Sequence, residues 1–313
     1  MNSDKKVVVT GGAGFIGSHL AEKLVNQGYH VIILDNLSTG KLENIKRLLR
    51  DGNSEFIQDS ITNLTLIRSL FKGVQYIFHN AAITGVQQSI EHPQLSHEVN
   101  VTGTLNTLLA AKDNCVRKVV YVSSASVYGN TSTLPIREEM APNPLSPYAA
   151  SKLAGEYYCH VFQEVYGLPS VCLRYFNIYG PKQDQNSNYS AVIPRFIKKV
   201  SEGSSPIIFG DGEQTRDFTF VEDAVEASIL AAESNATGVF NIGRGEGITL
   251  NEVAGIVNGL MGKNMEPIHE EPRLGDIRHS VADIVKAKTF GYTPKYDLQE
   301  GLRKTIDRNI CSY

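Results

Sequence analysis

Tyr148 and Lys152 stand four residues apart, with Pro147 immediately before them. On a helix that spacing puts both side chains on one face. A tyrosine hydroxyl, with an ordinary pKa near ~10, is a poor base at neutral pH. A neighbouring ammonium favours the tyrosinate and draws that value down, and the start of a helix favours the same anion. Upstream, Ser123-Ser124 closes an apolar run, so the Ser124 hydroxyl is available at the end of a strand to orient an alcohol. Together these residues could carry a proton to and from a substrate hydroxyl.

A second constellation lies near the start of the chain. Gly11, Gly14 and Gly17 fall within Thr10-Gly-Gly-Ala-Gly-Phe-Ile-Gly17, directly after the apolar Val7-Val8-Val9. Glycines so spaced between a strand and a helix allow a tight turn, close approach of backbone to a pyrophosphate, and close helix packing. The helix start offers free N–H groups and a positive dipole end to the phosphates. Asp35 ends the next apolar run. A carboxylate there accepts hydrogen bonds from ribose hydroxyls and repels a 2′-phosphate, which predicts NAD rather than NADP. A hydride acceptor set beside a proton acceptor oxidises an alcohol.

The elements that must position these groups follow from the pattern. Short β-rich apolar runs occur at 6–10, 30–34, 54–57, 75–79, 117–122 and 170–175, with helical patterns at 15–27, 41–50, 63–71, 93–113 and 147–166. Alternation of this kind predicts βαβ units, a parallel sheet and ligands beyond the carboxyl ends of its strands. After about residue 178 prolines and glycines break the chain into shorter pieces. The expectation is an α/β protein. Residues 1–178 form an NAD-binding domain with a Rossmann-like doubly wound parallel sheet, joined by a return segment at 221–242. Residues 179–313 form mainly a smaller substrate-binding lobe.

Composition narrows the partners. Apolar residues make up 42% of the 313, enough for a large core, and 30 basic against 33 acidic residues give a net charge of −3 with no basic block. That predicts no nucleic-acid partner. No apolar run approaches the ~20 residues of a membrane span, and the run after the N-terminal residues is too short for a signal-peptide core. Cys115, Cys159, Cys172 and Cys311 show no C-x-x-C spacing, and the histidines, His79 and His279 among them, show no metal spacing. Reduced, mostly buried thiols in a cytoplasmic protein are expected.

At these residues the chain resembles the extended short-chain dehydrogenase/reductases, and within them the nucleotide-sugar 4-epimerases. The resemblance runs nearly end to end. It is carried by Thr10–Gly17, by Asp35-Asn-Leu-Ser-Thr-Gly40, by His79-Asn-Ala-Ala82 and by Ser123-Ser-Ala-Ser-Val-Tyr-Gly129. It continues through Ser146-Pro-Tyr-Ala-Ala-Ser-Lys152, Leu173–Pro181, Gly210–Phe218 and Arg273–Ser280.

The resemblance implies Tyr148 as the base, Lys152 as its activator and nicotinamide-ribose ligand, and Ser124 as the sugar's hydrogen-bonding partner. Cofactor contacts are implied at Gly11, Gly14, Phe15, Ile16, Gly17, Asp35, Asn36, Ser38, Thr39, Gly40, Asp59, Ser60, Ala81, Ala82 and Asn100. Substrate contacts are implied at Ser126, Tyr175, Asn177, Val192, Phe209, Arg216, Arg273, Asp276 and Ser280. On the residues alone, the alternatives are a turn cap at Asn177, a structural ion pair at Arg216 and a solvated loop charge at Arg273. Asp59-Ser60-Ile61 replaces the Gly-Asp-Ile of many relatives, and Thr84 stands where galactose epimerases carry lysine.

The reaction implied is reversible NAD-dependent 4-epimerisation of UDP-hexoses through a 4-keto sugar. Dehydratase relatives carry Asp-Glu where this chain has Ala125-Ser126, and neither of these can protonate or deprotonate a sugar carbon. The small Ser280, where epimerases of plain hexoses commonly carry tyrosine, implies room for an N-acetyl group. UDP-GlcNAc/UDP-GalNAc and UDP-Glc/UDP-Gal are the expected pairs, with a UDP-glucuronate 4-epimerase or another enzyme of the same fold as the alternative. The resemblance also implies a homodimer through helices 93–113 and 147–166, with Leu105, Leu108, Leu109, Tyr157, Val161 and Phe162 as apolar surface.

Overall fold

The structure is a computed structural model that describes residues 5–50, 52–184, 191–272 and 277–310. In chain order the first half comprises β1 (Lys6–Thr10), α1 (Phe15–Asn26), β2 (His30–Leu34), β3 (Ser54–Ile57), α2 (Leu64–Leu70), β4 (Tyr76–His79), α3 (Val86–Glu91), α4 (Pro93–His97), α5 (Gly103–Asp113), β5 (Lys118–Ser124), α6 (Pro147–Tyr166) and β6 (Ser170–Tyr175). The second comprises β7 (Ile178–Tyr179), α7 (Val192–Ser201), β8 (Ile207–Phe209), β9 (Thr215–Arg216), β10 (Thr219–Phe220), α8 (Val221–Glu233), β11 (Gly238–Ile242), β12 (Ile248–Thr249), α9 (Leu250–Leu260), β13 (Ile268–Glu270), β14 (His279–Ser280) and α10 (Leu298–Ile310).

Val7, Val8 and Val9, like Val31–Leu34, are fully buried on both faces of their strands. Apolar runs of that kind suit a parallel sheet covered on both sides. Seven strands form it, all parallel, in the order β11-β6-β5-β4-β1-β2-β3. The order reverses between β1 and β4, which opens a crevice beyond their carboxyl ends. One core cluster, under α1 and α8, includes Leu20, Leu24, Ala224 and Ile229 and runs on to Phe196 of α7 and Val253 of α9. A second, under α2, α5 and α6, includes Ile67, Leu108, Cys159 and Phe162. β11 follows α8 and pairs with β6.

Three local expectations change. The 41–50 pattern forms two short 3-10 turns, Leu42–Asn44 and Leu48–Arg50, rather than a helix. Ile45 and Leu48 reach the core while Leu42 and Leu49 are exposed, so the apolar face is too short to hold a longer helix. The 93–113 pattern is α4 and α5 joined by a π turn at Glu98–Thr102, and α3 precedes it unannounced. Leu108 and Phe162, expected on an outward face, are buried at 0% and 4% exposure. On α6 Tyr157 and Val161 are exposed as expected, and Val165 rather than Phe162 continues their stripe at spacings of four.

Candidate active site

The glycine loop leaves β1 at the reversal of strand order. Gly11 has φ +66°, and a Cβ placed on it would come within 2.8 Å of the Ala81 backbone, so the loop after β4 lies directly against it. A Cβ on Gly17 would fall 2.2 Å from the Gly11 carbonyl, so α1 can start this close to the turn only with glycine there. α1 has no side-chain cap and no acidic residue in its first turn. Its free N–H groups therefore suit an anion, and Gly11, Gly14, Phe15 and Ile16 remain partly exposed around them.

Asp35 follows β2, as expected, and is nearly buried. Its carboxylate accepts from Ala13 N (3.0 Å) and Leu37 N (2.8 Å), so it also braces the glycine loop. Gly40 lies so close to that carboxylate that a Cβ would meet it at 2.7 Å. Asn36 accepts from Ser38 N (3.0 Å), which shapes the turn leading to Thr39. Asp59 accepts from Ser60 N (2.6 Å) and from the Asn63 amide (3.2 Å) beyond β3. Asn100 is buried at 1% exposure. Its side chain pairs with both backbone groups of Ile83 (2.8 and 3.0 Å) and donates to Ser151 Oγ (2.9 Å), tying the Ala81–Ala82 loop to α6.

One buried bridge under this loop has no counterpart in the sequence reading. His79 joins Thr10 Oγ1 (2.7 Å) to Thr104 Oγ1 (2.9 Å), Thr104 donates to Asn100 O (2.6 Å), and Ala81 N donates to Thr10 Oγ1 (3.2 Å). With Thr104's proton committed, Nε2 of His79 must be the donor and Nδ1 the acceptor. Burial, with the Lys152 charge nearby, holds this imidazole down to about 3, so it stays neutral.

Ser124 closes β5 and caps the turn Ala125–Tyr128, accepting from Ser126 N (3.2 Å). The Ser126 hydroxyl is buried without a partner. Tyr148 opens the long helix α6, which Ser146 caps and Pro147 starts. Its backbone N–H donates to Ser89 Oγ of α3 (3.0 Å), and its side chain lies near the Ser124 hydroxyl. Burial pushes the phenol above its ordinary value, and the nearby Ser124 hydroxyl pulls the other way. The protein alone therefore does not deliver the lowered value the spacing suggested: desolvation outweighs that hydroxyl.

Lys152 is buried at 3% exposure, donates to Val122 O (2.8 Å) and lies 5.1 Å from the Tyr121 ring centroid. Burial brings it down to about 8, with the Glu156 carboxylate opposing. The ammonium is thus retained at neutral pH, in a position fixed by β5.

β5 and β6 run in register with Ser124 opposite Tyr175. Tyr175 itself points into the core, where its hydroxyl meets Ser228 Oγ (2.5 Å) and Ala224 O (3.2 Å) of α8. Two residues on, Asn177 adopts φ +35° and lines a cavity of about 250 Å³ together with Val192, Phe209 and Arg216. Four residues far apart in the sequence therefore share one cleft. Arg195 and Gln214, which sequence reading missed, line it as well, and the Arg195 guanidinium lies 5.7 Å from the Phe209 ring centroid. The only hint was a basic residue three positions after Val192, one helical turn on. Guanidinium groups beside an aromatic ring suit a phosphorylated nucleoside. Ser280, on β14, is nearly buried and pairs with Arg216 of β9. Arg273 and Asp276 lie outside the described residues.

Residues 7–243 match the NAD dependent epimerase/dehydratase family. The chain belongs to this family. A UDP-glucose 4-epimerase of Mycolicibacterium smegmatis is 39% identical over 307 residues, covering 96% of this chain and 97% of the relative. A solved UDP-N-acetylglucosamine 4-epimerase of Methanobrevibacter ruminantium, in complex with UDP-N-acetylmuramic acid, superposes with a TM-score of 0.96 at 40% identity over 99% of each chain. A Bacillus cereus UDP-glucuronic acid 4-epimerase, in complex with UDP-glucuronic acid and NAD, gives 0.91 at 35% identity over 98% of this chain and 100% of that one.

The chain is thus an enzyme of an NAD-dependent family, and its uncapped helix start and glycine turn fit that cofactor. Among the described residues no helix is long and apolar enough to cross a membrane, and no group of three or more His, Cys, Asp or Glu is placed to hold a metal. Gly17→Ala forces a methyl onto the Gly11 carbonyl. It should weaken NAD retention by at least about tenfold, or about 1.4 kcal/mol, measured as nucleotide released on denaturation. Full NAD content in that variant would remove the loop from the cofactor site.

Proposed function

We propose that this enzyme is a UDP-sugar 4-epimerase, acting on UDP-GlcNAc/UDP-GalNAc and on UDP-Glc/UDP-Gal. The observation that carries the reading is the Ser124–Tyr148 pair at the head of β5, flanked by a turn, Ala125-Ser-Val-Tyr128, that has no carboxylate. Epimerisation needs one proton carrier and one hydride carrier, whereas eliminating water across a carbon–carbon bond needs a further acid or base.

NAD, when bound, supplies the acceptor and donor of hydride. Tyr148 takes the 4-hydroxyl proton as C4 loses hydride, with Ser124 holding the oxygen. The planar 4-keto sugar then turns about its link to the diphosphate. Hydride returns to the opposite face of C4 and Tyr148 gives the proton back, so no net oxidation occurs. Lys152 keeps a positive charge on the side where the tyrosinate forms. Arg216, Asn177 and Phe209 hold the UDP while the sugar moves, with Arg273 and Asp276 assigned to the same task from sequence. Residues 1–178, with 221–242, serve the cofactor, and the remainder serves mainly the nucleotide.

The similarity to the Bacillus cereus enzyme favours UDP-glucuronate as the second reading. Proton NMR of the purified protein with UDP-GlcNAc, UDP-Glc and UDP-GlcA separates the two. The working location is taken as the cytoplasm, which a fluorescent fusion tests by the compartment it lights.

Tyr148→Phe keeps the ring and removes the base. kcat should fall by about 10²–10⁴, the range for lost acid–base catalysis, with UDP-sugar binding retained. Near-normal turnover in that variant sinks the mechanism.

On this reading the small Ser280 leaves room for an N-acetyl group, as the resemblance implies, that a phenol ring would fill. Ser280→Tyr should therefore suppress turnover of the acetylated pair far more than that of the plain pair. Equal loss of kcat/KM for both pairs would show that the gate lies elsewhere.

A homodimer is proposed through the exposed stripe of Tyr157, Val161 and Val165 on α6 with the partly buried Leu105 and Leu109 of α5. Light scattering at micromolar concentration should give twice the chain mass, and a monomer would contradict it.

A further inference from the structure

We propose that Asp217 is a positioning residue for nucleotide binding: its carboxylate fixes the strand end that presents Arg216, and its main chain fixes Asn177. The inference rests on the reading of the cleft as the nucleotide seat. β9 has only two residues, Thr215 and Arg216, bonded to β12 on one side and β14 on the other. Two residues of ladder give a guanidinium little to stand on. The next residue supplies the rest. Asp217 is fully buried, and its Oδ1 accepts from Arg244 N (2.7 Å) while Oδ2 accepts from Gly245 N (2.9 Å) and Ala282 N (3.1 Å). Its own N–H donates to Ser280 O (2.8 Å), and its carbonyl accepts from the Asn177 amide (3.1 Å). One residue thus joins the loop after β6, the strand β9, the loop after β11 and the end of β14.

The side-chain bonds all come from backbone N–H groups. Burying a carboxylate is costly even when it is hydrogen-bonded, and burial pushes this carboxyl up to about 6 against the pull of those three amides. It is still ionised at pH 7.5. The seat is fitted to its length: a Cβ at Gly243 would meet Oδ2 at 2.7 Å and Ala282 Cβ at 2.7 Å. A second oxygen is also needed. The amide introduced by Asp217→Asn would offer one acceptor to three donors and turn its own N–H groups toward at least one of them. The loops would then separate from β9, and Arg216 and Asn177 would lose their fixed places in the cleft, while the glycine loop and Tyr148 stand on other elements.

The test is calorimetric titration of UDP at pH 7.5 into the NAD-loaded parent, Asp217→Asn, Gly243→Ala and Arg244→Ala proteins, with steady-state kinetics on the UDP-sugar. In D217N and G243A the Kd for UDP and the KM should rise by about tenfold or more, the loss expected when a buried network is left unsatisfied. kcat at saturation should stay within about threefold, and NAD content should stay at the parent level. G243A keeps the carboxylate but crowds it, so it decides the matter if D217N does not fold. R244A keeps the backbone donor and should bind UDP like the parent.

A parent that binds UDP with a D217N that binds as tightly overturns this inference alone. So does a loss of NAD in step with UDP, which marks general collapse, or a large loss in R244A, which puts the effect on the guanidinium. A parent that binds no UDP overturns the reading of the cleft and this inference with it.

Discussion

The constraint on which the site depends is the approach of two backbones at the reversal of strand order. The turn after β1 lies so near the loop after β4 that no side chain fits between Gly11 and Ala81. A gap of that kind closes only if both loops are held from below. Thr10, His79 and Thr104 do this as one hydrogen-bonded line through the sheet into α5, and Asn100 carries the line on to Ser151 of α6. Each polar atom on the route is buried and paired, so none can be removed without leaving a partner unsatisfied. The cofactor loop and the helix bearing Tyr148 are therefore parts of one rigid unit.

A second buried network sets α6 on the sheet. Glu156, one turn beyond Lys152, accepts from Ser123 (2.5 Å) and from both Nε (2.9 Å) and Nη2 (2.6 Å) of Arg174. Ser123 precedes Ser124, and Arg174 precedes Tyr175, so two neighbours of the site are locked through one carboxylate. A buried pair of this kind adds little net stability over an apolar replacement. What it adds here is placement, together with a negative charge that helps Lys152 stay protonated against burial.

Legibility in the sequence followed chain locality. The glycine loop, Asp35, and Tyr148 with Lys152 are read from contiguous spacing, and the alternation of elements gave the parallel sheet that the fold bears out. Groups assembled from distant segments were legible only through resemblance, as with Phe209 and Arg216, or not at all, as with Arg195 and the His79 bridge. Tyr175 lies inside a motif, yet strand alternation turns its side chain onto α8 rather than toward the cleft. Leu108 and Phe162 carry the same lesson on helices: apolar type does not say which side is outside, and the 100° step put them in the core. In the 41–50 stretch only Ile45 and Leu48 reach the core, while Leu42 and Leu49 are exposed, so the apolar pattern carried too little packing for a full helix.

Epimerisation asks for two opposed properties: a sugar free to turn and a diphosphate that stays in place. On the proposed reading the sheet reconciles them through a single register. Ser124 and Tyr175 face each other across β5 and β6, so the proton-transferring end lies on the strand next to the one that leads, two residues on, to Asn177 of the nucleotide cleft. The catalytic groups stand on β5 and α6, locked by Glu156. The cleft stands on β8, β9 and α7, with Asp217 as its tie. With the proton-transferring groups and the nucleotide cleft fixed by different elements, the sugar between them is the part left to turn about its link to the diphosphate.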